Sequence, residues 1–353
     1  MKKIMDKISR REFVIKGTTL TLGTGIMLKS GLSFNNSPLN KSKVVEVFHP
    51  EAVAENRLVN QAIVQDMLGQ GLESLSGKKG NKFAGLIDPN DTVGLKINCL
   101  GRPVLYTHHE LINAMITELK EIGVKENNII VWDRFDSHMT DCGFTMNDTA
   151  TGIRYFATQT HNDEMSHFDP EYIYKSEFDN PEHRDKNGII CRFSNIFTKQ
   201  CNKIINMAIL KDHGLAGVTL CLKNISYGIC NNNGRFHGPD HISTFITDIY
   251  SLPEVREKIV LNIIDGLEAC FENGPVPRNS NVLFTPKTLW LGTDPVALDT
   301  IGLEVIEAKR EEKRNPALRK IRPTIDHIAM AAGAELGKNK KEEIEVVRID
   351  MIA

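Results

Sequence analysis

The sequence predicts an α/β protein, a mainly parallel sheet with helices on both faces plus one irregular insertion. Two observations lead there. Short apolar runs alternate along the chain with segments of helical periodicity, the order that builds strand–helix–strand units. The composition is that of a folded globular chain: 41% hydrophobic, 25% charged and 7% aromatic over 353 residues. It excludes a largely disordered chain, a collagen-like fibre and a polytopic membrane protein. The net charge of −2 supplies no whole-protein basic field for nucleic acid.

The elements follow in order from Val44. Thr92–Asn98 is a short apolar run ending in polar residues. In 110–122, Leu111, Ile112, Met115, Ile116 and Leu119 fall on the stripe of an amphipathic helix, and Gly123 ends it. Asn128–Trp132 is the next strand, completing a strand–helix–strand unit. Residues 202–210, 259–264 and 288–291 are three further strand-like runs. Asp294-Pro295 then supplies an N-cap and a proline at the first helical position, so a helix is expected to about Lys313. A last strand runs over 344–351. Residues 133–193, rich in His, Asp, Asn and Thr with little periodicity, read as an insertion into the body, 44–353.

The first 43 residues differ from this body. They carry nine basic side chains against Asp6 and Glu12, a surplus of seven positive charges, and leave nine net negative on 44–353. Ser9-Arg10-Arg11-Glu12-Phe13-Val14-Ile15-Lys16 resembles a twin-arginine export signal, with a threonine-softened apolar stretch over 17–28 and a Ser/Asn/Pro-rich linker over 30–40. The apolar stretch is shorter than the ~20 residues of a spanning helix. Residues 1–43 are therefore expected to be a signal and linker that engage the twin-arginine machinery, leaving the body periplasmic, or membrane-anchored if the signal stays uncleaved. That route carries folded proteins, often with a cofactor aboard, so the resemblance implies a bound metal or organic cofactor.

The central motifs come in a fixed order. Lys211-x-His213 leads into Val218-Thr219-x3-Lys223-Asn224. Asp265-Gly266 precedes Gly274-Pro275, and Asp294-Pro295-Val296-Ala297-x-Asp299 follows. Together with the Lys-x-Asn of Thr92–Asn98, this order resembles domain-of-unknown-function family 362 (DUF362) over residues 44–350. The family has no settled activity. Its frequent fusion to iron–sulfur ferredoxin modules implies a ferredoxin-type electron partner.

Four reactive groups crowd one stretch: His213, Lys223, His237 and His241. His213 follows a strand end, where open α/β sheets place ligand clefts. If 216–225 is helical, Thr219 and Lys223 share a face. Imidazoles near neutral pH serve as metal ligands or acid/base groups. We therefore expect His213 and Lys223 to be catalytic. Lys223, Asn224, Thr219 and Asp265 are expected to bind a cofactor, and His213 and His237 to ligate a metal such as nickel, iron or zinc, alone or within a metal-organic cofactor. The His–x9–Lys–x13–His spacing is similar to that of nickel-dependent lactate racemases. By that analogy Lys223 would tether the cofactor, His237 would ligate nickel, and His213 and His108 would move protons. His108-His109 otherwise reads as a helix start. Asp133 follows a strand end and is a candidate for the same cleft, and Asp299 is either a helix-face residue or a site residue. The seven cysteines include no Cys-x2-Cys pair, so cluster ligation by a local motif is not expected. Cys191 and Cys201 either bridge in an oxidising compartment or are small buried hydrophobes. There is no Gly-x-Gly-x2-Gly, Walker loop or Gly-x-Ser-x-Gly elbow, which removes support for a Rossmann dehydrogenase, a P-loop nucleotidase and an α/β-hydrolase. The expected function is a redox or isomerase-type enzyme acting on a small molecule. The competing expectation is a non-catalytic periplasmic metal- or cofactor-binding protein.

Overall fold

The computed structural model describes residues 41–83, 85–160, 165, 167–176, 190–313 and 326–352. The twin-arginine-like segment and its linker lie outside the described residues. No helix among the described residues is long and apolar enough to cross a membrane.

In chain order the elements are β1 (Ser42–Phe48), α1 (Gln61–Ser76), β2 (Val93–Lys96), α2 (His109–Glu121), β3 (Ile129–Trp132), α3 (Asp136–Asp141), β4 (Arg154–Tyr155), β5 (Phe168–Tyr174) and β6 (Cys191–Ser194). Next come β7 (Lys203–His213), β8 (Gly217–Thr219), α4 (Cys221–Ser226), α5 (Ile242–Ser251), α6 (Pro253–Lys258) and β9 (Ile259–Cys270). The chain continues with β10 (Leu283–Phe284), β11 (Thr288–Gly292), α7 (Pro295–Lys313), α8 (Asp326–Gly333) and β12 (Ile344–Asp350). The main sheet has the order β12-β1-β11-β9-β7-β2-β3-β4, with β10 on β9 and β8 on β7. Strands β9, β7, β2, β3 and β4 are mutually parallel, and β12 is parallel to β1. β11 runs against both of its neighbours. The sheet is mixed but mainly parallel, as the alternating pattern requires.

Side chains alternate between two apolar layers. Leu261 and Ile263 of β9 join Leu95, Ile205, Met207 and Leu291 beneath α1 and α2, which contribute Met67, Leu68, Leu111 and Met115. Ile264, with Ile204, Ala208, Leu210 and Trp132, faces the opposite layer, which receives Leu222, Phe245, Ile249 and Leu298 from α4, α5 and α7. Two helix starts are capped locally. Asn60 accepts from Ala62 and Ile63 at the head of α1, and Asp294 accepts from Val296 and Ala297 at the head of α7.

The stretch 133–193 contributes β4 to the main sheet, while β5 and β6 form a separate two-stranded sheet. One helical expectation fails. Residues 216–220 are not helical. Gly217, at φ 80°, begins a return strand that pairs with the end of β7, and the helix starts only at Cys221. Thr219 therefore sits on β8 opposite Lys211 and shares no helix face with Lys223. All seven cysteines are buried as thiols, so Cys191 and Cys201 do not bridge.

Candidate functional site

The site grows from a difference in strand length. β2 ends at Lys96, opposite Asn206, whereas β7 continues to His213. Its last residues project past the carboxyl end of β2, held by the antiparallel return of β8. Lys211 and His213 thus stand over the carboxyl edge of the parallel strands, where such sheets open ligand crevices. Helix α4 closes over this edge. Its buried N-terminal amides are held by Asp299 of α7, whose carboxylate accepts from Cys221 at 2.7 Å and Leu222 at 3.1 Å. Asp299 is therefore a helix-positioning residue. Burial raises its carboxyl to about 7 despite those two hydrogen bonds.

The layer under α4 is a chain of amides and amines. Asn224 donates to Asn206 at 2.8 Å and accepts from Asn98 at 2.9 Å. Asn206 donates to Asn262 at 2.8 Å, and Lys211 donates to Asn98 at 2.7 Å. Lys96 lies 2.7 Å from Asp133 and donates to the Ile97 carbonyl at 2.6 Å. Asp133 also accepts from the Cys99 and Arg134 amides, and with Lys96 these bonds outweigh burial to hold its carboxyl low. Gly228 makes room for this packing, because a Cβ there would collide with the Asn224 carbonyl oxygen and Lys96 Cε.

Lys223 is buried above this layer and its surroundings are different. Its Nζ lies 3.3 Å from His237 Nε2 and 4.0 Å from the centre of the Tyr227 ring. His213 and His237 rings are 5.8 Å apart. Burial first, then the cations Lys211 and Arg134, push the Lys223 amine down to about 7. Lys211 is brought to about 8 by burial, which Asp133 only partly offsets. His237, exposed at the mouth, is held at about 4 by desolvation of its ring and by the Lys223 ammonium. Burial, Lys223 and His237 keep His213 neutral well below the ordinary imidazole range. Its Nδ1 accepts from the amides of Leu215 and Ala216, both at 3.1 Å, so the single ring proton sits on Nε2.

The structure therefore brings His213, Lys223 and His237 together and stacks Asn224 beneath them. Asn224 uses both ends of its amide on protein partners, so it supports the site rather than facing a ligand. Thr219 is buried and its Oγ1 has no partner among the described residues. Asp265 is held in a second network: it accepts from the His108 amide and lies 2.8 Å from His108 Nδ1, while its other oxygen accepts from Leu267. Burial opposes charge on His108, but Asp265 and Glu268 outweigh it and raise the ring to about 10. His108 is thus a standing cation paired with carboxylates. Both oxygens of Asp265 already accept hydrogen bonds within the protein.

The donor set does not fit a protein-held metal ion. Among the described residues no three His, Cys, Asp or Glu side chains are arranged to hold one. His213 offers a proton where a ligand needs a lone pair, His237 points its Nε2 at an amine, and Lys223 would repel a cation. The expected ligation by His213 and His237 is corrected on these grounds.

Sequence reasoning passed over Lys211 and Lys96 as site residues, although both stood in the quoted Lys-x-His and Lys-x-Asn motifs. It missed Tyr227 and His327 altogether. His327 stands on α8 far from any motif, and no spacing points to it.

Fold and site together define an α/β protein with a largely buried cluster of basic side chains at the carboxyl edge of its parallel strands. The family model described as "Domain of unknown function (DUF362)" matches residues 93–304, and this chain belongs to that family. No curated protein matches the chain. Among solved structures it is similar to a Thermotoga maritima protein determined by the Northeast Structural Genomics Consortium, at 13% identity and a TM-score of 0.39. The similarity covers 72% of this chain and 59% of that one, so the chain spans less than two thirds of its length.

Proposed function

We propose that the crevice binds a small organic anion and that the protein is an isomerase-type enzyme that moves a proton on it. The observation that supports this most is Lys223. It is a buried amine with no carboxylate facing it among the described residues, where the charged groups that bear on it are the cations Lys211 and Arg134. A folded protein tolerates such an excess of buried positive charge readily when an anion completes it.

The chemistry follows from the two protonation states. Near neutrality a large fraction of Lys223 is a free amine, a base matched to the operating pH. It takes a proton from carbon next to a carbonyl, becoming the ammonium while the substrate becomes an enolate. His213, neutral with its proton on Nε2, donates a hydrogen bond to the developing oxyanion, as a neutral imidazole electrophile does. The ammonium then returns the proton to carbon or oxygen, regenerating both groups. His237 accepts from the Lys223 ammonium and holds it in place.

The test is deuterium wash-in from D2O into pyruvate, 2-oxobutyrate and 2-oxoglutarate, followed by NMR, with thermal shift by the same anions alongside. Faster exchange with the natural protein than with Lys223→Met supports the enzyme. A thermal shift without exchange leaves the non-catalytic binder. The absence of both effects contradicts the anion reading.

We also propose that residues 1–43 serve as a twin-arginine export address, on the strength of Arg10-Arg11 and the soft apolar stretch that follows. Fractionation of cells expressing the natural chain and an Arg10→Lys/Arg11→Lys variant tests it. Retention of both in the cytoplasm contradicts the address.

A further inference from the structure

His327, outside the segment that the family model matches, is wholly buried, and neither of its ring nitrogens has a hydrogen-bond partner among the described residues. Buried polar groups in folded proteins are almost always satisfied, so a solitary imidazole needs a reason. Its helix, α8, packs on α5 and α7. Both of those helices pack in turn on α4, which carries Lys223. Burial and the Lys223 ammonium bring His327 down to about 3, and His213 in turn feels His327. The ring is therefore neutral and holds one unused donor and one unused acceptor.

We propose that His327 is a ligand-contacting residue of the Lys223 crevice, donating a hydrogen bond to an oxygen of the bound organic anion. This rests on the anion reading above. It also widens the site beyond the family's matched segment, since the contact comes from the C-terminal part of the chain. Lys223, Lys211 and Arg134 supply charge, His213 supplies a fixed proton, and His327 supplies the group that an oxygen-rich ligand would satisfy. A ligand lacking a hydrogen-bonding oxygen at that point would leave the imidazole unpaired and bind weakly.

The test uses glyoxylate, a small anionic aldehyde, with cyanoborohydride. The Lys223 amine attacks the aldehyde carbon, water leaves to give an imine, and hydride from cyanoborohydride reduces it to a stable secondary amine. Peptide mass spectrometry reads the modified lysine. The natural protein should be labelled at Lys223, with a rate that rises with pH through about 7. His327→Leu should melt at the same or a higher temperature, because it removes two unsatisfied atoms. It should label Lys223 about tenfold more slowly at low glyoxylate, the size of one lost hydrogen bond. His327→Gln, which keeps a donor and an acceptor, should recover most of that loss. Equal labelling in His327→Leu and the natural protein overturns the role of His327 alone. No labelling of Lys223 in the natural protein overturns the anion reading and this contact together. Should His327→Leu fail to fold, the ring nitrogen shifts of His327 in the natural protein decide. Movement on adding glyoxylate supports the contact, and fixed shifts overturn it.

Discussion

Replacing Lys223 by methionine should stabilise the protein in acid and neutral solution, and the size of the gain should depend on pH. The Lys223 amine titrates near 10.5 in the unfolded chain and near 7 in the fold. Between those values the unfolded chain binds more protons than the native state, so the natural protein grows more stable as pH rises through that window. Below about pH 7 both states carry the ammonium and the cost of burying it is fully present. The distance from 10.5 to about 7, at about 1.4 kcal/mol per pH unit, corresponds to about 5 kcal/mol. Methionine occupies a similar space without charge, but it gives up the contacts with His237 and the Tyr227 ring, about 1 kcal/mol each. The expected net gain at pH 6 is therefore about 3 kcal/mol, fading towards zero or slightly below by pH 10. Urea denaturation of both proteins at pH 6, 8 and 10 measures it, with equal slopes required so that the midpoints compare directly. A gain independent of pH refutes the reasoning. So does a loss that deepens in acid, which would mean that the ammonium has a carboxylate partner.

The layer beneath Lys223 makes two more predictions. Asp133→Ala leaves the buried Lys96 ammonium without its counter-ion, and a loss of about 3–5 kcal/mol is expected in the same urea assay. A loss under 1 kcal/mol would show that Lys96 is compensated elsewhere. Gly228→Ala sets a methyl against the Asn224 carbonyl and Lys96, so it should cost about 1–3 kcal/mol and slow glyoxylate capture at Lys223, because α4 must shift. An unchanged melting temperature and capture rate would contradict that packing.

The strands and the longer helices were legible because their signals are local. The 110–122 stripe became α2, the 128–132 run became β3, and Asp294-Pro295 began α7 where a cap and a proline belong. The central motifs were legible too, because Lys211, His213, Lys223 and Asn224 stand close together in sequence. Thr219 was misplaced because a run of small and β-branched residues does not reveal that the chain turns back at Gly217 to pair with β7. The pairing of Asp265 with His108 was hidden for another reason. A carboxylate at a strand end looks the same whether it faces a ligand or a histidine 157 residues away. Metal ligation by His213 failed on a detail of one atom: the amides of Leu215 and Ala216 claim Nδ1, and only coordinates show that. His327 was invisible because its importance comes from missing partners, a property of packing rather than of any motif.

The most direct measurement is an NMR titration of Lys223 itself, following its side-chain 13Cε signal in lysine-labelled protein and assigning it by its loss in Lys223→Met. A midpoint near pH 7, moving upward when glyoxylate or 2-oxoglutarate is added, is what an amine awaiting an anion must show. A midpoint near 10.4, unmoved by either anion, would contradict the account.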